Sequence, residues 1–269
     1  MGLAVATSLS KQSNWEIHIL DLSKNGQTVA SSLNATFHQS NVTDYQSLQS
    51  IFATIYAKAQ RIDFVFANAG IAEHANFFDE KTDEEIEGKG VTGPKGMDAI
   101  IDINIKGAIN TTYLALHYMR KPNSPDSGVD KSIVITASCG GLYPSYYSPI
   151  YTASKHAMVG FMRSVAPYFY HKAGIRVNAI CPGTVKTNLL SSEEWESFPQ
   201  EYFTPVEKIV ETVELLISPG KEEEKEGVMF GKAVEISGTK HYYRQAVPFC
   251  DEGMKTVMSA TNVEVQKGS

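Results

Sequence analysis

Tyr151 and Lys155 are the residues of this chain whose types and spacing point most directly to chemistry. They lie four positions apart, and residues at this spacing share one face of a helix. Because a nearby cation favours the phenolate, we expect Lys155 to lower the pKa of Tyr151 below its usual value of about 10. Ser138 lies thirteen residues before Tyr151, after an apolar run typical of a strand. Together the three residues indicate a general acid/base site for an alcohol or a carbonyl.

Each of these residues also has a purely structural interpretation. A tyrosine and a lysine at helical spacing often form an exposed pair whose apolar stems lie on the surface. A serine that follows a strand can serve only to shape a turn. The pattern therefore has to be weighed with the elements that would position it.

Short β-branched or aromatic runs alternate with longer helical patterns along the chain. Strands are predicted over residues 17–20, 36–39, 64–67, 132–136, 175–180 and 233–236. Helices are predicted over residues 2–11, 45–60 and 97–120, the second with Asp44 as its N-cap. Apolar strands separated by helices imply a parallel sheet covered on both faces. The predicted fold class is α/β, a doubly wound parallel sheet in a single domain, which binds ligands beyond the carboxyl ends of its strands.

The chemical motifs fall at these strand ends. Ser138 follows the strand 132–136, an Asn-Ala-Gly sequence at 68–70 follows the strand 64–67, and a Pro-Gly pair at 182–183 follows the strand 175–180. In this order, and together with Tyr151 and Lys155, the motifs resemble the short-chain dehydrogenase/reductase family. The resemblance spans residues 2–238 and implies a Rossmann-like fold that binds NAD(P).

The resemblance assigns roles to four catalytic residues. It implies that Tyr151 is the acid/base, that Ser138 holds the substrate oxygen, and that Lys155 lowers the tyrosine pKa and binds the nicotinamide ribose. Asn104 matches the family's helix asparagine, which supports a water relay to the lysine. Asparagine is unfavourable inside a helix, so a hydrogen-bonding role is expected, although a contact between the helix and a loop would explain it equally well.

The resemblance also implies a set of cofactor-binding positions. These are Gly2, Asp21, Asn41, Val42, Asn68, Ala69, Gly70, Tyr151, Lys155, Val185 and Thr187. An acidic residue at the end of the second family strand accepts hydrogen bonds from the ribose 2′-OH and repels a 2′-phosphate, so Asp21 favours NAD over NADP. Two alternatives stay open at this point: Asp21 only starts a turn, or Lys24 nearby softens the repulsion.

The start of the chain departs from the family pattern. In the family a strand and a Gly-rich turn precede the helix that is predicted here at 2–11, and the turn makes most of the pyrophosphate contacts. Gly2 matches the last glycine of that turn, so the first strand and the rest of the turn are expected to be missing. Since that strand lies between the second and fourth, unpaired strand edges are expected there. An incomplete N-terminus is the simplest explanation, and a cofactor-free relative is the alternative.

Composition excludes several other classes of function. The net charge of −6 leaves no basic stripe for nucleic acid, so no nucleic-acid partner is expected. Three scattered cysteines predict neither a disulfide framework nor a metal site. The N-terminus lacks the features of a signal peptide or a membrane span, which predicts a cytoplasmic protein with no membrane partner.

Substrate and assembly are less determined by the sequence. Aromatic residues in the predicted lid and before Tyr151 suggest an apolar alcohol or ketone, although they could equally pack on one another. They are Trp195, Phe198, Tyr202, Phe203, Tyr143, Tyr146 and Tyr147. The predicted domain covers residues 1–238, and a tail over 239–269 would cover the pocket or meet a partner subunit. The resemblance implies a homodimer or homotetramer.

Two functions therefore follow from the sequence. The first is an oxidoreductase that transfers a hydride between NAD(H) and a secondary alcohol or ketone, with Tyr151 as acid/base. The alternative is a non-catalytic or repurposed member of the same fold that has lost dinucleotide binding.

Overall fold

Strands and helices alternate through the computed structural model of the protein, which describes residues 1–91, 93–121, 130–220 and 222–262. The strands are β1 His18–Asp21, β2 Thr36–Gln39, β3 Phe64–Ala67, β4 Lys131–Thr136, β5 Ile175–Pro182, β6 Ala233–Ser237 and β7 Lys240–Arg244. The helices are α1 Gly2–Leu9, α2 Gly26–Ser32, α3 Tyr45–Ala59, α4 Asp83–Glu87, α5 Met97–Ile100, α6 Ala108–Met119, α7 Pro149–Ala173, α8 Ser192–Glu196, α9 Val206–Ile217, α10 Glu222–Glu226 and α11 Glu252–Ser259. A π-helical segment, Ile101–Gly107, joins α5 to α6, and short 3₁₀ turns cover Cys139–Gly141 and Gln200–Tyr202.

The strands form two sheets. Strands β3 to β7 form one sheet in the order β3-β4-β5-β6-β7, and β1 pairs with β2 alone. All of these pairs are parallel except β6–β7, which is antiparallel. The predicted Rossmann-like α/β fold with a mostly parallel sheet is confirmed. Within the described residues no strand is hydrogen-bonded between β1 and β3, and this is where the sequence predicts unpaired edges.

Strand β7 was not predicted, and its residues lie in the segment expected to form a C-terminal tail. Its residues alternate between exposed and half-buried, which is the pattern of an edge strand with one face on the protein. Its five positions hold two tyrosines and three polar or charged residues, which give such a strand little hydrophobic signal. The end of the predicted tail, residues 263–269, lies outside the described residues.

The centre of the large sheet is buried on both faces. Every residue of β5 is buried, and in β4 only Lys131 is partly exposed. Helices α6 and α7 contribute to the cluster on one side of these strands, and α1 and α9 contribute to the cluster on the other. The continuous apolar pattern of β4 and β5 is the expected consequence of this two-sided burial.

Local sequence signals explain where the main helices begin and end. Helix α3 begins after Asp44, whose carboxylate accepts a hydrogen bond from the Ser47 amide at 3.0 Å, as the sequence predicts. Helix α7 has Pro149 in its first turn and ends at Gly174, whose left-handed conformation terminates the helix. The helix predicted over 97–120 contains the unexpected π-helical segment in its first half. No helix in the described part of the chain combines the length and hydrophobicity needed to cross a bilayer.

Candidate active site

A cleft of about 700 Å³ lies where the loops after β3, β4 and β5 meet the N-terminal turns of α1 and α7. Its volume falls within the range typical of small-molecule sites. Seven of the residues predicted as catalytic or cofactor-binding line it, namely Asn68, Gly70, Ser138, Tyr151, Lys155, Val185 and Thr187. The fold brings them together because the carboxyl ends of adjacent parallel strands share one edge of the sheet.

Tyr151 and Ser138 form the polar centre of the cleft. Ser138 follows β4, and its Oγ accepts a hydrogen bond from the Gly140 amide at 3.1 Å. Burial raises the pKa of the Tyr151 phenol, and a hydrogen bond with Ser138 opposes that rise without cancelling it. The predicted downward shift of this pKa is therefore wrong for this structure. The physical reason is that loss of solvent around the phenol outweighs the groups that stabilise the phenolate.

Lys155 lies beside Tyr151 but does not reverse this effect. Its Nζ lies 5.5 Å from the centroid of the tyrosine ring and donates a hydrogen bond to the Thr136 carbonyl at 3.1 Å. The side chain is almost completely buried, and burial lowers the pKa of Lys155 to about 8. Below that pH the cleft contains a buried ammonium with no carboxylate among its hydrogen-bond partners in the described residues.

Asn104 lies behind the cleft, at the middle of the π-helical segment. Its Oδ1 accepts a hydrogen bond from the Ile71 amide at 2.8 Å, and its Nδ2 donates to the Ile71 carbonyl at 3.0 Å and to Ser154 Oγ at 3.1 Å. The alternative interpretation of Asn104, a contact between its helix and a loop, is thus the one that these hydrogen bonds support. The water relay stays a prediction. π-Helical insertions in α-helices are frequent at functional sites.

Gly70 occupies a crowded position next to Asn104 and Lys155. A Cβ at this residue would lie 3.2 Å from Asn104 Oδ1 and 3.4 Å from Lys155 Nζ. A side chain at this point would require Asn104 to shift by a few tenths of an ångström, so glycine suits the close approach of the loop 68–70 to both residues. Its first residue, Asn68, accepts a hydrogen bond from Thr136 Oγ1 at 3.1 Å, which attaches the loop to the end of β4.

Gly2 lies on the other side of Asn68. A Cβ at Gly2 would lie 3.0 Å from Asn68 Nδ2, so the first turn of α1 packs directly against the loop after β3. Gly2 itself does not line the cleft, but its neighbours Met1 and Leu3 do. Ala69 is exposed and is likewise absent from the lining.

Asp21, Asn41 and Val42 lie apart from this cleft, at the carboxyl ends of β1 and β2. The Asp21 carboxylate accepts a hydrogen bond from the Ser23 amide at 2.8 Å, and Asn41 Oδ1 accepts one from the Thr43 amide at 3.0 Å. Both residues are exposed, so they remain accessible to a ligand while shaping their own turns. Val42 packs against Gly107 at the end of the π-helical segment, where a Cβ on the glycine would lie 2.6 Å from Val42 Cγ2.

Two contacts hold α8 beside the cleft. Trp195 of α8 donates a hydrogen bond to the Thr187 carbonyl at 2.9 Å, which fixes this short helix over the loop after β5. His74 Nδ1 and Glu194 Oε1 lie 3.2 Å apart and connect α8 to the loop after β3. This pair was not predicted, since 120 residues separate its members and neither belongs to a motif.

The predicted aromatic residues are only partly associated with the cleft. Of the seven, all of them described, Trp195 alone lines it. The Trp195 ring packs against the rings of Phe198 and Phe203, with both pairs of ring centroids 5.9 Å apart. Tyr146 and Tyr147 are exposed at the surface. Packing within the lid therefore accounts for three of the seven, Trp195, Phe198 and Phe203.

Comparisons with known proteins agree with this architecture. The family model described as short chain dehydrogenase matches residues 1–197. Short-chain dehydrogenase/reductase prx7 of Penicillium rubens is 47% identical over 284 residues, which cover 100% of this chain and 99% of the relative. Human 15-hydroxyprostaglandin dehydrogenase (NAD(+)) is 36% identical over 167 residues, which cover 62% of this chain and 54% of the relative.

Solved structures show the same fold at lower sequence identity. The 3-ketoacyl-(acyl-carrier-protein) reductase from Brucella melitensis, complexed with NADH, aligns with a TM-score of 0.71 and 22% identity, over 88% of this chain and 92% of that chain. ElxO with NADP bound aligns with a TM-score of 0.69 and 23% identity, over 87% of this chain and 92% of that chain.

Proposed function

This chain belongs to the short-chain dehydrogenase family, and on that premise we propose that it is an NAD-dependent alcohol dehydrogenase or carbonyl reductase with Tyr151 as its general acid/base. One observation carries the proposal. Ser138, Tyr151 and Lys155 converge in a single cleft with the loop 68–70 and with the residues after β5, although these segments are spread over residues 68–187 of the sequence. Such convergence is what a proton-transfer site beside a bound cofactor requires.

The residues around the cleft fit the nicotinamide end of a dinucleotide. Gly70 permits close approach of the loop after β3, and Lys155 presents an ammonium beside Tyr151. Val185 and Thr187 line the same cleft on the loop after β5. When bound, the cofactor supplies or accepts the hydride. Asn68, Gly70, Lys155, Val185 and Thr187 are the residues that would hold its nicotinamide half.

The preference for NAD rests on Asp21. Its exposed carboxylate at the end of β1 would accept hydrogen bonds from a ribose 2′-OH and repel a 2′-phosphate. The NAD(+) in the name of the human relative agrees with this preference, whereas ElxO, which shares the fold, binds NADP. Asn41 and Val42 would contact the adenine.

The proton chemistry follows from the state of Tyr151. Because burial raises its pKa, the phenol retains its proton at neutral pH and is ready to protonate the oxygen of a carbonyl as that carbonyl is reduced. Ser138 would orient that oxygen by a hydrogen bond. In the opposite direction the tyrosine must first lose its proton, and Ser138 and, below about pH 8, the Lys155 ammonium would stabilise the phenolate. Asn104 would support this arrangement from behind Gly70.

An apolar secondary alcohol or ketone is the proposed substrate. The wall of the cleft includes the apolar residues Ile71, Ala72, Leu189, Trp195 and Val206. A wall of this kind favours substrates that bury hydrocarbon next to the reacting oxygen. A homodimeric or homotetrameric state and a cytoplasmic location stay predictions, and light scattering on the purified protein would test the first of them.

Titration of the purified chain with NADH, monitored by nicotinamide fluorescence, tests the proposal. Saturable binding below about 1 mM, tighter for NADH than for NADPH, is expected, followed by turnover of apolar ketones. Absence of binding at millimolar cofactor would contradict the dehydrogenase function and favour the non-catalytic alternative.

A further inference from the structure

Glu73 is a buried carboxylate that the proposed chemistry does not use. It lies on the loop after β3, three residues beyond Gly70, and is only 8% exposed. Its Oε2 accepts a hydrogen bond from the backbone amide of Tyr151 at 2.8 Å. Its Oε1 is also buried, and in the described part of the chain no group is in hydrogen-bonding position to it.

Burying a carboxylate in this way opposes folding. A carboxylate removed from water loses its hydration, and a single hydrogen bond to an amide restores only part of it. A surface glutamate or an apolar residue would avoid that cost. Buried polar groups that are incompletely satisfied are rare and call for an explanation.

The position of Tyr151 in its helix explains why the carboxylate of Glu73 is buried. Tyr151 is the third residue of α7, and the first amides of a helix have no partner inside the helix. Ser148, at the N-cap, makes no capping hydrogen bond with its side chain. Glu73 therefore acts as the cap from a loop 78 residues away, and its charge lies at the positive end of the helix dipole.

This remote cap differs from the local caps elsewhere in the molecule. In α3 and α11 the capping carboxylates, Asp44 and Asp251, come from the residue directly before the helix. A local cap fixes only the start of its own helix. A cap from a distant loop also fixes the distance between that loop and the helix.

The loop that carries Glu73 is attached to the catalytic elements at several points. Asn68 is hydrogen-bonded to Thr136, and Ile71 is held by Asn104 through both its amide and its carbonyl. Asn104 in turn binds Ser154, whose hydroxyl donates to the Tyr151 carbonyl at 2.7 Å. The backbone of Tyr151 is thus held at its amide by Glu73 and at its carbonyl by Ser154.

We propose that Glu73 is a positioning residue, which holds the backbone of Tyr151 and thereby places its phenol relative to Ser138, Lys155 and the loop 68–70. This inference rests on the proposed function, since a reaction at Tyr151 is what requires the placement. Displacement of a reacting group by about 1 Å commonly reduces turnover by about 100-fold.

Three variants at one position test the role. Glu73→Gln keeps a carbonyl oxygen at the same reach, Glu73→Asp shortens the side chain by one methylene, and Glu73→Ala removes the acceptor. We expect Glu73→Ala to lower kcat by about 10- to 100-fold and Glu73→Asp by about 5-fold or more, with NADH affinity within about 2-fold of the unmodified protein. Glu73→Gln should restore kcat to within about 3-fold. Asp251→Ala, which removes a capping carboxylate away from the cleft, should leave kcat unchanged.

Hydrogen exchange gives a second measurement that does not depend on activity. Exchange at the Tyr151 amide should accelerate by about 10-fold or more in Glu73→Ala and remain slow in Glu73→Gln and Asp251→Ala. The inference would be wrong if Glu73→Ala and Glu73→Asp kept full kcat, or if Glu73→Gln lost as much as Glu73→Ala. If the unmodified protein neither binds NADH nor turns over ketones, the proposed function fails, and unchanged exchange at Tyr151 in Glu73→Ala would separately refute the cap. If Glu73→Ala does not fold, kcat and exchange at the Tyr151 amide are compared between Glu73→Asp and Glu73→Gln instead.

Discussion

The region around β4, β5 and α7 is held together differently from the region around β1 and β2. In the first, every residue of β5 is buried, and the site residues are held by hydrogen bonds that span up to 78 positions in sequence. In the second, none of the residues in β1 and β2 is fully buried, and among the described strands these two pair only with each other. Both regions contribute predicted site residues, but in the second Asp21 and Asn41 accept hydrogen bonds from residues only two positions along the chain, while Val42 packs against Gly107.

The hydrogen bonds of individual site residues show what this difference means. Asn104 and Lys155 bind backbone groups of other elements, Ile71 and Thr136. Asp21 instead accepts a hydrogen bond from a residue two positions along the chain. Proton-transfer groups need fixed mutual distances, whereas an exposed carboxylate that contacts a ribose needs only a defined turn. The residues proposed for proton transfer thus lie in the region around β4, β5 and α7. The residue proposed to select the cofactor lies in the less buried region around β1 and β2.

Removal of the Tyr151 hydroxyl, in the region around β4, β5 and α7, should have the largest effect on turnover. Tyr151→Phe deletes the proposed acid/base while leaving the ring in place, so turnover should fall by about 1,000-fold and NADH binding should change by less than about 2-fold. Initial rates and fluorescence titration measure the two quantities. Tyr168→Phe, at an exposed tyrosine on the same helix, is the matched control and should leave both unchanged. Turnover retained in Tyr151→Phe would refute the assigned role.

Local stability should differ strongly between the two regions. Backbone amides of β1 and β2 should exchange with solvent at least about 100-fold faster than those of β4 and β5, because few buried contacts oppose local opening there. Hydrogen exchange followed by mass spectrometry measures both regions in one sample. Addition of NADH should slow exchange in β1 and β2 more than in β4 and β5. Equal protection of the two regions without cofactor would mean that they open as one unit.

Burial of the Lys155 ammonium should lower the stability of the region around β4, β5 and α7. With its pKa lowered from 10.5 to about 8, the folded protein bears the cost of burying the ammonium at all pH values below about 8. Between pH 8 and 10.5 only the unfolded chain binds the proton, so the stability of the unmodified protein rises with pH across this window. Lys155→Met should therefore raise the free energy of unfolding by about 1–3 kcal/mol at pH 7.

Urea unfolding at several pH values checks this prediction. The advantage of Lys155→Met should shrink as the pH rises from 8 towards 10.5, since the lysine of the unmodified protein is then neutral when folded. Lys172→Met, at an exposed lysine of α7, should change neither the stability nor its pH dependence. A destabilised Lys155→Met protein at pH 7 would contradict the prediction.

The smallest expected effect concerns Asp21 in the less buried region. Asp21→Ala removes the repulsion between its carboxylate and a 2′-phosphate, so the ratio of NADPH affinity to NADH affinity should rise by about 10-fold. The exposed position and screening by salt limit the effect. Glu252→Ala, with the same loss of charge in α11, should leave the ratio unchanged. An unchanged ratio in Asp21→Ala would mean that Asp21 only shapes its turn and does not select the cofactor.

Local patterns were sufficient to place most of the elements that position the site. The bounds of β2 and β3 were predicted without error, and β5 extends two residues beyond its predicted end into the Pro-Gly pair. The edge strand β7 was missed because an edge strand needs neither a continuous apolar run nor a strong alternation. The π-helical segment around Asn104 was missed because an insertion of one residue in a helix leaves no mark in its composition.

By itself, the sequence determined the family, the fold class and seven of the residues that line the cleft, since these depend on side-chain types and on their order along the chain. Tertiary structure decided the direction of the Tyr151 pKa, the lowered pKa of Lys155 and the remote cap from Glu73. The physical reason is that solvation and hydrogen bonding depend on what surrounds a group in space. Its neighbours in the chain do not reveal how much water the fold removes or which distant carboxylate it brings near.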